Sequence, residues 1–237
     1  CNGDCRYLLN MCEELFSIDT KKKLTIEELL KTVNKRKASY DKKNENHYNL
    51  ISAFHKSIRG SDVQASLYWM ARMIDGGEEY HYIFRRLINI AVEDIGMADP
   101  QALVQVMSAL QGFDMMGAPD GILCLTHAVI YCATAPKSNA GYLAQNEVFA
   151  DIKTNNFQNP PKHILNAPTK LMKDIGYSDG YIYDHDTTLC FSGQNYFPEG
   201  LSRREYYKPN ERGFERDIKK RLEYWNGLRN KINKDYN

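Results

Sequence analysis

The sequence predicts an all-α protein, mainly helical. Helical spacing of apolar residues runs almost unbroken from Tyr48 for roughly a hundred residues, longer than mixed folds sustain. Its interruptions fall at glycines and prolines placed as helix ends and starts. With 43% hydrophobic and 26% charged residues, and only 15 Gly and 8 Pro, the chain has the composition of a packed globule rather than a disordered tract. Its 237 residues suit one large domain with a small appendage.

Taken in order, residues 3–16 place Leu8, Met11, Cys12, Leu15 and Phe16 at helical spacing, with Asp4 as a cap. The abrupt opening at Cys1-Asn2-Gly3-Asp4 reads as a cut through something larger. Thr25 and Glu28 form a capping pair after Lys21–Lys23, and the polar, charged run 35–46 is a linker. Leu50, Ile51, Phe54 and Ile58 stripe a helix ended by Gly60. Ser61 is the expected cap of the next, which carries Leu67, Tyr68, Ala71 and Ile74 to Gly76-Gly77. Ile83, Phe84, Leu87, Ile88 and Ala91 define a third, stopping near Gly96. Asp99-Pro100 restarts the chain, with helices expected at 101–115 and 119–134. A helix from Ser138 to about Lys153 follows, and Pro168 opens a short one closed by Gly176. Residues 177–210 hold six tyrosines among glycines and prolines and read as irregular with short strands, pinned by ring burial. A final helix over 211–229 carries Phe214, Ile218, Leu222 and Trp225 on one face.

Charge and motifs exclude several functions. With 31 basic and 30 acidic residues the net charge is +1, so any nucleic-acid contact must be a local patch. No apolar run reaches the ~20 residues of a membrane span and no leader pattern is visible, so the expectation is a cytoplasmic protein without membrane contact. The six cysteines show neither a CxxC pair nor a disulfide framework, which predicts reduced thiols and no metal. The sequence has no GxxxxGK[ST] loop, GxGxxG, HExxH or GxSxG, so no catalytic residue is assigned. Glu93-Asp94 and His185-Asp186 lack partners at ligand spacing and read as structural. His127, within an apolar helix, reads as a core or interface imidazole.

The remaining candidates are basic. Lys56 and Arg59 are three apart and share a helix face. Lys137, in Pro136-Lys137-Ser138-Asn139, and Lys170 with Lys173, after Asn166-Ala-Pro168-Thr169, stand where helix starts present unpaired N–H groups. Each is a candidate DNA or anion contact, against the plain alternative of a solvated surface lysine or arginine.

Residues 47–73 (HYNLISAFHKSIRGSDVQASLYWMARM), together with RRLINIAVEDIGMADPQAL, APKSNAGY, NAPTKLMKDIGY and YYKPNERGFE, resemble the replication-associated recombination protein A family (RarA or MgsA), whose eukaryotic relative is the Werner-helicase-interacting protein. The resemblance covers essentially the whole chain. It implies an AAA+ motor upstream of Cys1, using ATP and Mg2+, then a small helical lid, then a helical domain like a clamp-loader collar that holds a homotetramer. Residues 1–34 would end the lid, 35–46 link, and 47–237 form the oligomerisation domain. Gly3-Asp4-Cys5-Arg6 looks like the family's GDAR segment, with cysteine for alanine at position 5. Arg6 would then be the nucleotide sensor, a role suited to a permanently charged, multi-donor guanidinium. DNA, single-strand-binding protein and stalled replication forks are the implied partners, and the implied location is the nucleoid. The parent protein would be a DNA-dependent ATPase. The alternatives are a stand-alone helical nucleic-acid-binding module, and a hydrolase in which Glu93, Asp94, His185 and Asp186 converge.

Overall fold

A computed structural model describes residues 45–154 and 159–235, with the single positions 9, 12, 13, 16 and 25–27. Asp4, Arg6, Glu28 and most of the expected linker lie outside the described residues. Among those that are described, the chain forms eight α-helices and no strand, so the all-α expectation holds.

Helix α1 (Glu45–Arg59) sends Ile51, Phe54 and Ile58 into the core. Helix α2 (Val63–Asp75) is capped by Asp62, not by Ser61: the Asp62 Oδ1 accepts from the Ala65 N–H at 2.9 Å. Ser61 itself sits at φ +59°, which turns the chain but removes it from the extended geometry of a cap. Helix α3 (Tyr80–Ile90) buries Ile83, Phe84, Leu87 and Ile90. The stretch to Gly96 expected as one helix divides here: α3 passes into a π turn, Ala91–Ile95, and a 3-10 turn, Gly96–Ala98. The wider π turn aims Asp94 inward, which plain α-helical spacing does not anticipate.

Helix α4 (Gln101–Met116) and helix α5 (Ile122–Thr134) form a packed pair. Asp99 braces it, taking the Gln101 N–H at 3.1 Å and the Tyr131 hydroxyl at 2.7 Å. Helix α5 is the hub, touching α1, α2, α3 and α4. Its buried Leu125, Ala128, Val129, Cys132 and Ala133 are mostly small, letting neighbouring helices approach closely. Burial drives the Cys132 thiol up to about 12, so it is an inert core group. His127 is exposed, between the exposed Leu123 and Ile130, which removes the core alternative of its core-or-interface reading. Periodicity names a face but not the number of helices available to cover it.

Helix α6 (Ala140–Thr154) buries only Ala140, where it meets the π and 3-10 turns. Helix α7 (Lys170–Asp174) is one short turn capped by Thr169. Residues 177–210 form no strand; they wrap around Asp184, whose carboxylate takes the Ser192 N–H and Oγ–H, each at 2.8 Å, and the Tyr196 hydroxyl at 2.9 Å. Local side-chain bonds of this kind occupy the backbone that a ladder would need. Helix α8 (Glu215–Asp235) starts later than expected because the Phe214 N–H is donated to the Ala98 carbonyl at 2.7 Å. No described helix is long and apolar enough to cross a membrane.

Phe84 is fully buried and packs its ring 5.6 Å from that of Phe113, tying α3 to α4. Phe84→Ala is expected to cost about 3–5 kcal/mol by leaving a cavity. Urea denaturation checks this, as a fall in midpoint with little change in slope.

Candidate functional site

Four separated segments meet in one polar cleft of about 440 Å3: the end of α1, the π turn, the turn between α5 and α6, and the strap before α8. Ser138 fastens the middle two, its N–H donating to the Asp94 carbonyl at 2.7 Å. The strap is held by Glu215, which is fully buried in the first turn of α8. Its carboxyl group accepts from Ser138 Oγ at 2.7 Å, the Tyr207 hydroxyl at 2.8 Å and the Asn210 N–H at 3.0 Å. Burial and that bond both raise the Tyr207 phenol. Gly213, at φ +51°, completes the closure, for a Cβ there would overlap the Ala98 carbonyl oxygen.

Asp94 supplies the cleft's central charge. His55 Nε2 lies 2.7 Å from its Oδ2, Arg59 Nε donates to its Oδ1, and Arg59 Nη2 reaches Oδ2 at 3.3 Å. Because His55 Nε2 must carry the proton it gives to Asp94, the 2.9 Å approach of Arg59 Nη2 to that nitrogen is a packing contact rather than a second hydrogen bond. Burial pushes the Asp94 carboxyl up, but the bonds from His55 and Arg59 outweigh it and hold it below its ordinary value. Bonding to Asp94 correspondingly raises Arg59, against its partial burial. Glu93 adds a longer contact to Arg59, at 3.4 Å.

Lys137 points inward. Its ammonium donates to Ser61 Oγ at 3.1 Å and to the carbonyls of Ala133 and Ala135 at 3.1 and 2.5 Å, closing the end of α5. Burial lowers its pKa. Arg212, whose Nη1 is 3.4 Å from the Lys137 carbonyl, is the more exposed cation at the mouth, beside Asn139, Tyr142 and Asn210.

Of the candidate contacts, the fold therefore brings Arg59 and Lys137 into one cleft and engages both in internal bonds. Lys56 is exposed on α1 but does not line the cleft, and Lys170 and Lys173 are exposed on α7, also outside it. His185 and Asp186 lie in a 3-10 turn and do not join Glu93 and Asp94, so the convergence that a hydrolase would need is not formed. The ligand atoms of His55, Glu93 and Asp94 do lie within 4.8 Å of one another. That set does not suit Mg2+, which favours an oxygen octahedron, because Arg59 already occupies the space around the carboxylates. Asp94 is structural, as the sequence suggested, but its partners His55 and Arg59, distant in sequence, were not legible there. Glu215 and Arg212 escaped sequence reasoning for the same reason, and their only signal was membership of the string YYKPNERGFE.

The fold and cleft define an all-α module closed by a C-terminal strap, in which the conspicuous charged groups serve internal bonding. Residues 60–226 match the family described as MgsA AAA+ ATPase C terminal, and residues 1–59 match the AAA C-terminal domain. The chain belongs to the MgsA AAA+ ATPase C-terminal family. The two matches meet at the turn between α1 and α2, whereas the sequence reading placed a border in 35–46. The chain is 42% identical over 232 residues to replication-associated recombination protein A of Coxiella burnetii, covering 96% of this chain and 53% of that protein. It is 40% identical over 227 residues to the Escherichia coli K12 protein of the same name, covering 93% and 51%. It is 38% identical over 178 residues to ATPase WRNIP1 of Dictyostelium discoideum, covering 71% and 19%. The chain thus spans about half the length of the bacterial relatives.

Gly213→Ala is expected to lower stability by more than about 1 kcal/mol, because alanine neither tolerates this φ nor fits beside Ala98. Faster hydrogen exchange in residues 207–215 than in α5 would locate the damage. Asp94, with its lowered pKa, contributes stability in full above the ordinary value of 3.8 and loses it as pH falls below that value. The stability gap between wild type and Asp94→Asn should therefore stay constant from about pH 7 to 5 and close in more acid solution. Denaturant titrations across that range would show it.

Proposed function

We propose that this chain is the lid-and-assembly part of a DNA-dependent AAA+ ATPase that acts in replication-fork maintenance and recombination. The observation that carries the assembly role is apolar surface. Helix α4 has one charged residue, Asp114, and exposes Leu103, Val104, Met107, Met115 and Met116. Helix α5 adds Leu123 and Ile130, and α6 adds Tyr142, Leu143, Phe149 and Ile152. So much exposed hydrophobic side chain on helices suits burial against other subunits. The reading is a homotetramer, in which these helices meet their counterparts.

The names of the relatives support the wider setting: replication-associated recombination for the bacterial proteins, ATPase for the Dictyostelium one. ATP and Mg2+ would belong to a motor in the parent protein, since this sequence has no phosphate loop and the cluster of candidate ligands among the described residues does not suit Mg2+. DNA and single-strand-binding protein are the proposed partners, in the cytoplasm at the nucleoid. Arg6 would sense nucleotide from the lid.

Light scattering is expected to give four times the 27.4 kDa chain mass at micromolar concentration. The double substitution Val104→Glu, Met107→Glu should shift it to smaller species; a wild-type monomer would remove the assembly role. In the full-length protein, Arg6→Ala is expected to lower ATP turnover about tenfold or more while leaving assembly intact, as loss of a phosphate-facing donor should. Unchanged turnover would take Arg6 out of the mechanism.

A further inference from the structure

A second cleft, of about 390 Å3, lies between α8 and the segment before it. Arg203, Arg204 and Arg229 line it, against one lining carboxylate, Glu205. Arg204 is 3.6 Å from Asp151, which also accepts the Tyr206 hydroxyl, so that guanidinium is neutralised. Arg203 and Arg229 are different. Arg229 lies over the Phe191 ring at 5.1 Å and Arg203 over Phe197 at 5.8 Å. Among the described residues neither has a carboxylate within ion-pair distance, Glu205 included. Arg229 donates from Nη1 to Asn226 Oδ1 at 3.0 Å, while its buried Nε has no acceptor. Burial, then repulsion from Arg203, lowers its pKa; the group that acts the other way, Tyr196, is a phenol without charge at neutral pH. A guanidinium with a buried, unmet N–H and a second cation near it leaves a place for an anion.

The donor set selects the kind of anion. Asn226 gives its carbonyl oxygen to Arg229, which leaves its NH2 group to donate, and Asn230, one helical turn further along α8, lines the same cleft. Donors therefore come from both α8 and the segment before it. A phosphodiester offers them one charge and two unesterified oxygens, and a strand of such groups would bring further negative charge past Glu205. A carboxylate likewise offers one charge and two oxygens. A terminal phosphate offers three unesterified oxygens and about two charges, which matches two arginines and two amides. The volume is that of a site for a small molecule rather than a channel for a chain. We infer that this cleft binds a small molecule through a terminal phosphate or diphosphate group, held between Arg203 and Arg229 with the amides of Asn226 and Asn230 on its remaining oxygens. The inference goes beyond the assembly and DNA-dependent readings and depends on neither.

The test is isothermal titration calorimetry of the whole chain with inorganic pyrophosphate, free of divalent metal. Arg203→Gln, at an exposed position, is expected to weaken binding about tenfold or more, as loss of charged donors to a phosphate should. Arg229→Gln should weaken it likewise; should that variant lose helicity, Arg203→Gln alone decides. Glu205→Gln removes the opposing charge and should tighten binding about twofold, a gain that damage to the fold would not produce. Arg72→Gln, exposed on α2 and outside the cleft, should stay within about twofold of wild type. Absence of wild-type binding at millimolar pyrophosphate overturns the site. So does binding by Arg203→Gln within about twofold of wild type, or an equal loss in Arg72→Gln. Competition by an oligothymidylate without a terminal phosphate that equals, phosphate for phosphate, competition by inorganic phosphate overturns it in favour of a strand.

Discussion

The buried carboxyl group of Glu215 is the interaction on which the C-terminal half depends. Three donors from three places, Ser138, Tyr207 and Asn210, end on its two oxygens with no solvent access. A buried carboxyl group is costly unless its lone pairs are filled, so these partners are coupled: removing one exposes the others to the desolvation penalty. Around it, Phe214 bonded to Ala98 and the glycine at 213 leave α8 a single way to leave the bundle. The position of α8, and hence of the cleft along it, follows from this knot.

The π turn performs the matching task on the other side of the cleft. Its wider spacing turns Asp94 inward, where His55 and Arg59 from α1 compensate its burial, and its carbonyl receives Ser138. Arg59, Lys137 and Asp94 look functional by residue type. Their bonds make them the ionic frame of the cleft, and the exposed Arg212 is left as the cation available at its mouth.

The nearly uncharged α4, with the outer faces of α5 and α6, supports the proposed assembly. A net charge of +1 is compatible with such an apolar face, since it leaves little repulsion between copies.

The bundle was legible in the sequence wherever burial follows a helical period. The stripes Ile51, Phe54, Ile58 and Ile83, Phe84, Leu87 are the core, because a helix with one apolar face has one way to hide it. Family strings were legible too, as was the mainly irregular 177–210, where turn residues leave few alternatives. What periodicity could not supply was any bond between positions far apart: Asp94 to Arg59, or Glu215 to Ser138. It also misplaced the cap at Ser61, which depends on a backbone angle, and could not choose between core and surface for His127, which depends on how many helices surround α5. Local pattern set the elements by itself because helix formation and amphipathicity are local. The ionic frame, the strap and the clefts were decided by tertiary structure, because a buried charge can be satisfied only by partners that folding brings to it.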